Sequence, residues 1–252
     1  MKIGEKLLEL RNNVLRDKSD LIAGDSDSLW TDETLLRYIK HGERQFARKT
    51  LCIRDATTAQ VTQVKLRTGV KTYPLHPAVI SVLSASYDTD EFDLARSGHG
   101  ILNQLQPPEF LTFDPSTAYT VPPGRPSAYY TDETLVYATG QRVTLSVYPV
   151  PGADQNDKYL YLRTLRVPLT VYDMDHLDDE SEIPEDYELD PLRWAAYLAQ
   201  SNHDADAGSA AKAAAHKDAF EAAVTHAVRE TKRKLFAHMA HRFGLGGYSW
   251  TR

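Results

Sequence analysis

The order of hydrophobic periodicities predicts an α+β chain, with helices at both ends and an antiparallel β region between them. Three observations carry this. Residues 1–50 space their apolar side chains at helical intervals. Residues 51–172 switch to alternation, in VTQVKL, VTLSV and LYLRTLRV, with Gly and Pro breaking the runs. Helical spacing then returns and continues through an alanine-rich segment. The economical arrangement packs residues 1–50 and 185–242 together as one helical bundle. Residues 51–184 are then inserted as an antiparallel β-sandwich or barrel with an acidic linker, and residues 243–252 form a flexible tail.

At the start, Leu7, Leu8, Leu10 and Leu15 predict a short amphipathic helix, and IAGDSDSLW reads as a loop. Thr31 or Ser28 can cap the next helix, with Asp32 and Glu33 suited to the positive end of its dipole. Leu35, Leu36, Ile39, Phe46 and Ala47 give that helix a buried stripe, and Trp30 can staple its first turn. Arg44, Arg48 and Lys49 fall toward its end, where cations are favoured.

In the β region, VISVLSASY is a short apolar run suited to a buried strand, and SAYYTD and LVYATGQRV read as strands joined by a turn. The lack of strands alternating with long helices argues against Rossmann and TIM architectures. The third zone opens with DMDHLDDESEIPEDYELD, which has ten carboxylates between Asp173 and Asp190 and no Lys or Arg. It reads as an exposed linker or a phosphate-repelling face. Asp190 then suits a helix cap with Pro191 at the first position. Leu192, Trp194, Ala195, Ala196 and Leu198 make the following helix apolar on much of its surface, and HDADAGS breaks it.

The last helix, Ser209 to His238, would be about 45 Å long. Its residues Phe220, Val224, Ala227, Thr231 and Leu235 run along one face at close to heptad spacing. Alanines on the flanks let other helices approach closely. Phe220, Val224, Ala227 and Leu235 are therefore expected to pack against other helices of the chain or against another subunit. The chain closes on FGLGGYSWTR, in which Phe243, Tyr248 and Trp250 sit on a tether with Gly244, Gly246 and Gly247 as hinges. Such a tail is suited to insertion into a neighbouring copy or a partner.

Composition narrows the function. At 252 residues and 42% hydrophobic content, the chain can bury a core. A net charge of -6 argues against a general nucleic-acid binder. The single cysteine, Cys52, excludes an intramolecular disulfide and a zinc-thiolate cluster, and reads as a buried structural thiol. No apolar run is long enough to span a bilayer, and MKIGEKLLELRNN has no secretory core. Synthesis in a reducing cytoplasm is expected.

Catalytic and metal motifs are weak. His238 and His241 share a helical face, but Lys232, Arg233, Lys234 and Arg242 beside them would repel a cation. Asp88, Asp90, Glu91 and Asp93 lack the glycine and the closing glutamate of a calcium loop. SGHG at 97–100 is no nucleophile elbow, and there is no Walker A, G-x-G-x-x-G or H-E-x-x-H pattern. No enzyme activity, cofactor or metal is expected. Arg229, Lys232, Arg233 and Lys234 suit a helix C-terminus, or a patch for an acidic partner or phosphate.

WTDETLLRYIKHGERQFARKT, YPLHPAVISV and SEIPEDYELDPLRWAAYLAQ, followed by HDADAGS, a long alanine-rich helix and an aromatic-glycine tail, give an order that resembles the head-to-tail adaptor (connector) proteins of tailed bacteriophages. The resemblance implies a structural virion protein at the head–tail interface, forming a homo-oligomeric ring of twelve copies below the portal. It implies a C-terminal tail that docks into the portal protein, here Phe243, Tyr248, Trp250 and Arg252, and a β domain that meets a downstream tail protein. DNA would pass through the ring without specific binding during genome ejection. The Asp173–Asp190 run is a candidate lining, or it faces outward. Two other readings compete. One is a nucleic-acid-binding packaging accessory using Arg229, Lys232, Arg233 and Lys234. The other is a carbohydrate-active enzyme stacking sugars on Tyr129, Tyr130 and Tyr137.

Overall fold

Thr31 decides where the first long helix begins. Its hydroxyl accepts the backbone N–H of Thr34 at 3.3 Å, satisfying one of the donors a helix start leaves orphaned. The computed structural model describes residues 1–16, 29–87, 103–104, 122–132, 136–137, 140–141, 143–202 and 207–243. For 103–104, 136–137, 140–141, 207–209 and 235–243 it describes the backbone alone. Helices stand at both ends of the described chain and sheets in the middle, the α+β order that the periodicities predict. The chain divides into two compact units, Met1–Ile53 with Val167–Arg252, and Arg54–Arg166.

The first unit is helical. Helix α1 (Ile3–Glu9) runs into a π-helical turn, Leu10–Leu15. Its buried side is Ile3, Lys6, Leu7 and Leu10, while Leu8, expected on the apolar stripe, is 42% exposed. Helix α2 (Asp32–Thr50) ends at Leu51 in left-handed backbone, whose N–H reaches the Ala47 carbonyl. Helix α4 (Asp190–Ser201) begins one residue earlier than its cap signal suggests. Leu189 holds the cap position without a side-chain bond, and Asp190 is already helical. Helix α5 (Ala207–Phe243) is 37 residues long.

Two apolar clusters hold this unit together. One joins Ile3, Leu7 and Leu10 to Leu35, Leu36 and Ile39 of α2 and to Leu192, Ala195, Ala196 and Ala199 of α4. Trp30 packs against it, and its indole N–H donates to the Ala199 carbonyl at 3.2 Å. The other joins Phe46 and Ala47 of α2 to Phe220, Val224 and Ala227 of α5, with Ile53, Ile183 and Tyr187. Where α2 crosses α4, a Cβ on Gly42 would stand 2.4 Å from the Pro191 carbonyl oxygen. Only glycine allows that approach.

The second unit is built from β-strands. Strand β10 (Tyr159–Arg166) is the spine of one sheet. Strand β4 (Val79–Tyr87) pairs along one edge, with two register shifts, and β1 (Arg54–Asp55) and β2 (Gln63–Lys65) pair along the other. The other four-stranded sheet has the order β3 (Thr72–Pro74), β9 (Thr144–Tyr148), β6 (Ala128–Asp132), β5 (Asn103–Gln104). All these pairs are antiparallel except β5 with β6, which is parallel. Strands β7 (Val136–Tyr137) and β8 (Gly140–Gln141) pair with each other. Within LVYATGQRV the described residues pair with each other rather than with SAYYTD, whose partners are β9 and β5.

VTQVKL is only half strand. Val61 and Thr62 close a one-turn helix, α3 (Ala59–Thr62), before β2 begins. Asp55 organises this corner by accepting the backbone N–H groups of Thr57 and Thr58, each at 2.9 Å. Its other oxygen accepts Nε of Arg166 at 2.6 Å, and both side chains are buried. Burial alone would raise its pKa, but those N–H bonds and the guanidinium hold the carboxyl well below the usual range.

Candidate interaction surface

On α2 the buried side chains are Leu35, Leu36, Ile39, Glu43, Phe46, Ala47 and Thr50, around Gly42. At 100° per residue these occupy one side of the helix. The opposite side carries Arg37, Lys40, His41, Arg44, Gln45 and Arg48, which line a cleft of about 460 Å³. Arg37, Lys40, His41 and Arg48 are exposed, and Arg44 and Gln45 half-buried.

Lys40 and Arg44, and Arg44 and Arg48, are four residues apart, a spacing at which like charges repel by about 0.2–0.5 kcal/mol per pair. Among the described residues no carboxylate lies within ion-pair distance of Arg37, Lys40, Arg44 or Arg48. The apolar face of α2 holds the helix in place despite this repulsion. At its border, the Trp194 indole N–H donates to Nδ1 of His41 at 2.8 Å, and the rings stack with centroids 6.1 Å apart. That bond requires His41 Nδ1 to be an acceptor. Lys49 leaves the basic face. It pairs with Glu221 and lies over the Trp194 and Phe220 rings, at 5.9 and 5.6 Å from their centroids.

The acidic stretch lies on the other side. Its backbone is fastened to α1, with Ile3 N–H on the Asp179 carbonyl at 3.0 Å and Gly4 N–H on the Leu177 carbonyl at 2.8 Å. Met1 pairs with Glu188, and Lys2 with Asp178. Beneath it sits a buried polar knot. Lys6 Nζ is 2.7 Å from Glu43 Oε1 and 2.8 Å from Ser181 Oγ, and the hydroxyls of Tyr172 and Ser181 donate to Glu43. Burial, and then the Glu43 carboxylate, push the Tyr172 phenol far up. Ile183 and Tyr187 complete the anchoring in the cluster around Phe46. Asp175, Asp179, Glu180, Glu185 and Asp186 remain exposed, and among the described residues none has a Lys or Arg in ion-pair range. His176 donates to Asp173, and that bond raises the imidazole's pKa.

The residues singled out from sequence are placed unevenly. Phe220, Val224 and Ala227 are buried inside the helical unit, as is Thr231. The side chain of Leu235 lies outside the described residues, as do those of His238, His241 and Phe243, whose backbones are helical. Gly244, Gly246, Gly247, Tyr248, Trp250 and Arg252 lie outside as well, together with Asp88, Asp90, Glu91, Asp93 and SGHG. Arg229, Lys232, Arg233 and Lys234 are exposed on α5. Tyr129 is 1% exposed, which leaves no ring face for a sugar; Tyr130 is half-buried, and the side chain of Tyr137 lies outside the described residues.

Cys52 is half-buried beside the second cluster, and burial pushes its thiol up, away from the reactive thiolate. Among the described residues no three His, Cys, Asp or Glu side chains converge as a metal site, and no helix is long and apolar enough to cross a membrane. The basic face of α2 was missed from sequence because its cations read as a helix terminus. Arg37 and Lys40 lie outside the last turn, and their spacing with Arg44 and Arg48 is the signal that identifies it.

A family model described as SU10 adaptor protein matches residues 6–242, spanning both helical segments and the sheet unit between them. No curated protein matches the chain.

Proposed function

This chain belongs to the SU10 adaptor protein family of phage head–tail adaptors, and from that membership we propose that its copies form a ring between the portal and the tail. The coarse role follows from the family: a structural virion component that works in tail assembly through contacts with portal and tail proteins. The finer reading is a ring of twelve copies that encloses the channel through which DNA leaves during ejection, performs no catalysis, and is made in the host cytoplasm before incorporation. The observation that carries it is the family match across most of the chain.

In this reading Phe243, Tyr248, Trp250 and Arg252 dock into the portal, with Gly244, Gly246 and Gly247 as hinges. Aromatic and arginine anchors dominate binding energy at protein interfaces, and a glycine-rich tether lets three rings seek separate pockets. The sheet unit, residues 54–166, meets the downstream tail protein. A net charge of -6 disfavours a tight grip on DNA phosphates.

Cosedimentation with isolated portal rings tests the tail assignment. The intact chain is expected to pellet with the ring, and a chain ending at Phe243 to stay in the supernatant with unchanged circular dichroism. Equal pelleting of both removes the docking role from the tail. Pelleting of neither removes the portal from the reading.

A further inference from the structure

The helical unit has two oppositely charged surfaces that do not meet. On the outer side of α2, Arg37, Lys40, Arg44 and Arg48 line an open cleft, and their mutual repulsion has no compensating carboxylate among the described residues. On the side of α2 that carries Glu43 and Phe46, the acidic stretch is held in place through Ser181, Ile183 and Tyr187. Its exposed carboxylates Asp175, Asp179, Glu180, Glu185 and Asp186, none with a Lys or Arg in ion-pair range among the described residues, therefore sit on ordered backbone rather than a loose linker, with Lys2 near Glu180 and His176 near Asp175 and Asp179. Because one helix separates the two surfaces, they cannot neutralise each other within one chain. A second copy can satisfy both.

We infer that the basic cleft of α2 docks on the Asp175–Asp186 stretch of the next copy. A patch that pairs with a different patch on an identical chain makes a head-to-tail contact, and repetition of that contact closes a ring when the rotation allows. The inference rests on the ring reading above and assigns the residues that set its neighbour contacts. The occupant is another copy rather than duplex DNA for two reasons: the complementary surface is present on the chain itself, and the net charge of -6 opposes a polyanion. Contacts of this type set register and encounter rate, and they weaken with salt.

Sedimentation velocity of the full chain at about 0.05 M and about 0.5 M salt tests it, conditions that bracket strong and weak screening. Three variants accompany the native chain: R44E/R48E, E185K/D186K, and the combination of all four. These residues are exposed or half-buried, and circular dichroism checks that each variant folds. The native chain is expected to self-associate at low salt and dissociate at high salt. Each two-residue reversal is expected to weaken association by about tenfold or more. The four-residue variant, and an equimolar mixture of the two reversals, are expected to regain it.

A native chain that stays monomeric at low salt overturns the contact, as does association that neither reversal alters or that recombination fails to restore. Binding of labelled duplex DNA that R44E/R48E abolishes, with self-association untouched, overturns it in favour of phosphate as the occupant. A chain that pellets with the portal yet fails these measurements loses only the neighbour contact. One that passes them and ignores the portal loses the adaptor reading instead.

Discussion

Lys6 and Glu43 form an ion pair whose side chains are both fully buried, 2.7 Å apart. Removing one partner of such a pair strands the other charge, at about 3–5 kcal/mol. Lys6→Met is therefore expected to destabilise the helical unit by that amount, read from urea unfolding followed by the fluorescence of Trp30 and Trp194. The double variant K6M/E43L removes both charges but leaves the hydroxyls of Tyr172 and Ser181 without their acceptor, at about 1–3 kcal/mol for an unsatisfied group. It should recover part of the loss and no more; full recovery would show that the hydroxyls find other partners. Asp55 makes a pH-dependent contribution in the sheet unit. Its carboxyl titrates below the range of an unfolded aspartate, so the folded state binds the proton less readily than the unfolded state. The stabilisation is complete above about pH 4 and is lost as pH falls from there toward the depressed folded value. Asp55→Asn is expected to be less stable at neutral pH and to show a flatter decline below pH 4, measured through the near-ultraviolet circular dichroism of the sheet tyrosines. An unchanged acid slope would remove Asp55 from the acid sensitivity of this unit.

Helix α2 shows how packing overrides local preference. Alanine is a better helix former than glycine by about 1 kcal/mol, so Gly42→Ala would be stabilising in an isolated helix. Here the added methyl meets the Pro191 carbonyl oxygen at 2.4 Å and the Trp194 Cβ at 3.5 Å. Backbone cannot step aside as a side chain can, and overpacking of this kind costs about 1–3 kcal/mol. The variant is expected to be destabilised on balance, with a lower urea midpoint in tryptophan fluorescence; a higher midpoint would mean that α2 and α4 separate freely. Features set within a few residues were legible in the sequence: the Thr31 cap, the strand VISVLSASY and the alanine-rich last helix all follow from local chemistry. Features set by distant partners were not. Val61 and Thr62 fit an alternating pattern, yet they turn into α3 because Asp55 gathers the Thr57 and Thr58 N–H groups at that corner. Leu8 matches the apolar stripe of the first helix but stays exposed, and the inward position goes to Lys6, whose charge is met by Glu43 from 37 residues away. The acidic run carries no sign in its own sequence of the α1 backbone that holds it. The outer face of α2 was readable by its spacing, but the same arginines also suit a helix end, and only the burial of the opposite face separates the two readings.

At the scale of the molecule, the helical unit is assembled from two chain segments, and both of its apolar clusters draw only on those segments. The sheet unit enters and leaves at neighbouring points, since Arg54 pairs with Leu165 and Asp55 with Thr164 in antiparallel register. Paired residues of that kind lie about 5 Å apart, so the sheet unit's two ends form a narrow junction. Residues 54–166 are therefore expected to be removable. A chain joining Ile53 to Val167 through about two to four glycine and serine residues should keep its helical circular dichroism and the buried fluorescence of Trp194, because loops of that length commonly connect adjacent elements. Loss of cooperative unfolding in this shortened chain would show that the helical unit depends on the sheets for its own packing. The same chain separates the proposed portal contact from the proposed tail contact. If the helical segments and tail engage the portal while the sheets engage the tail machinery, the shortened chain pellets with portal rings as the full chain does and fails to recruit the downstream tail protein. Loss of portal pelleting in a chain that still folds would place part of the portal contact on the sheet unit.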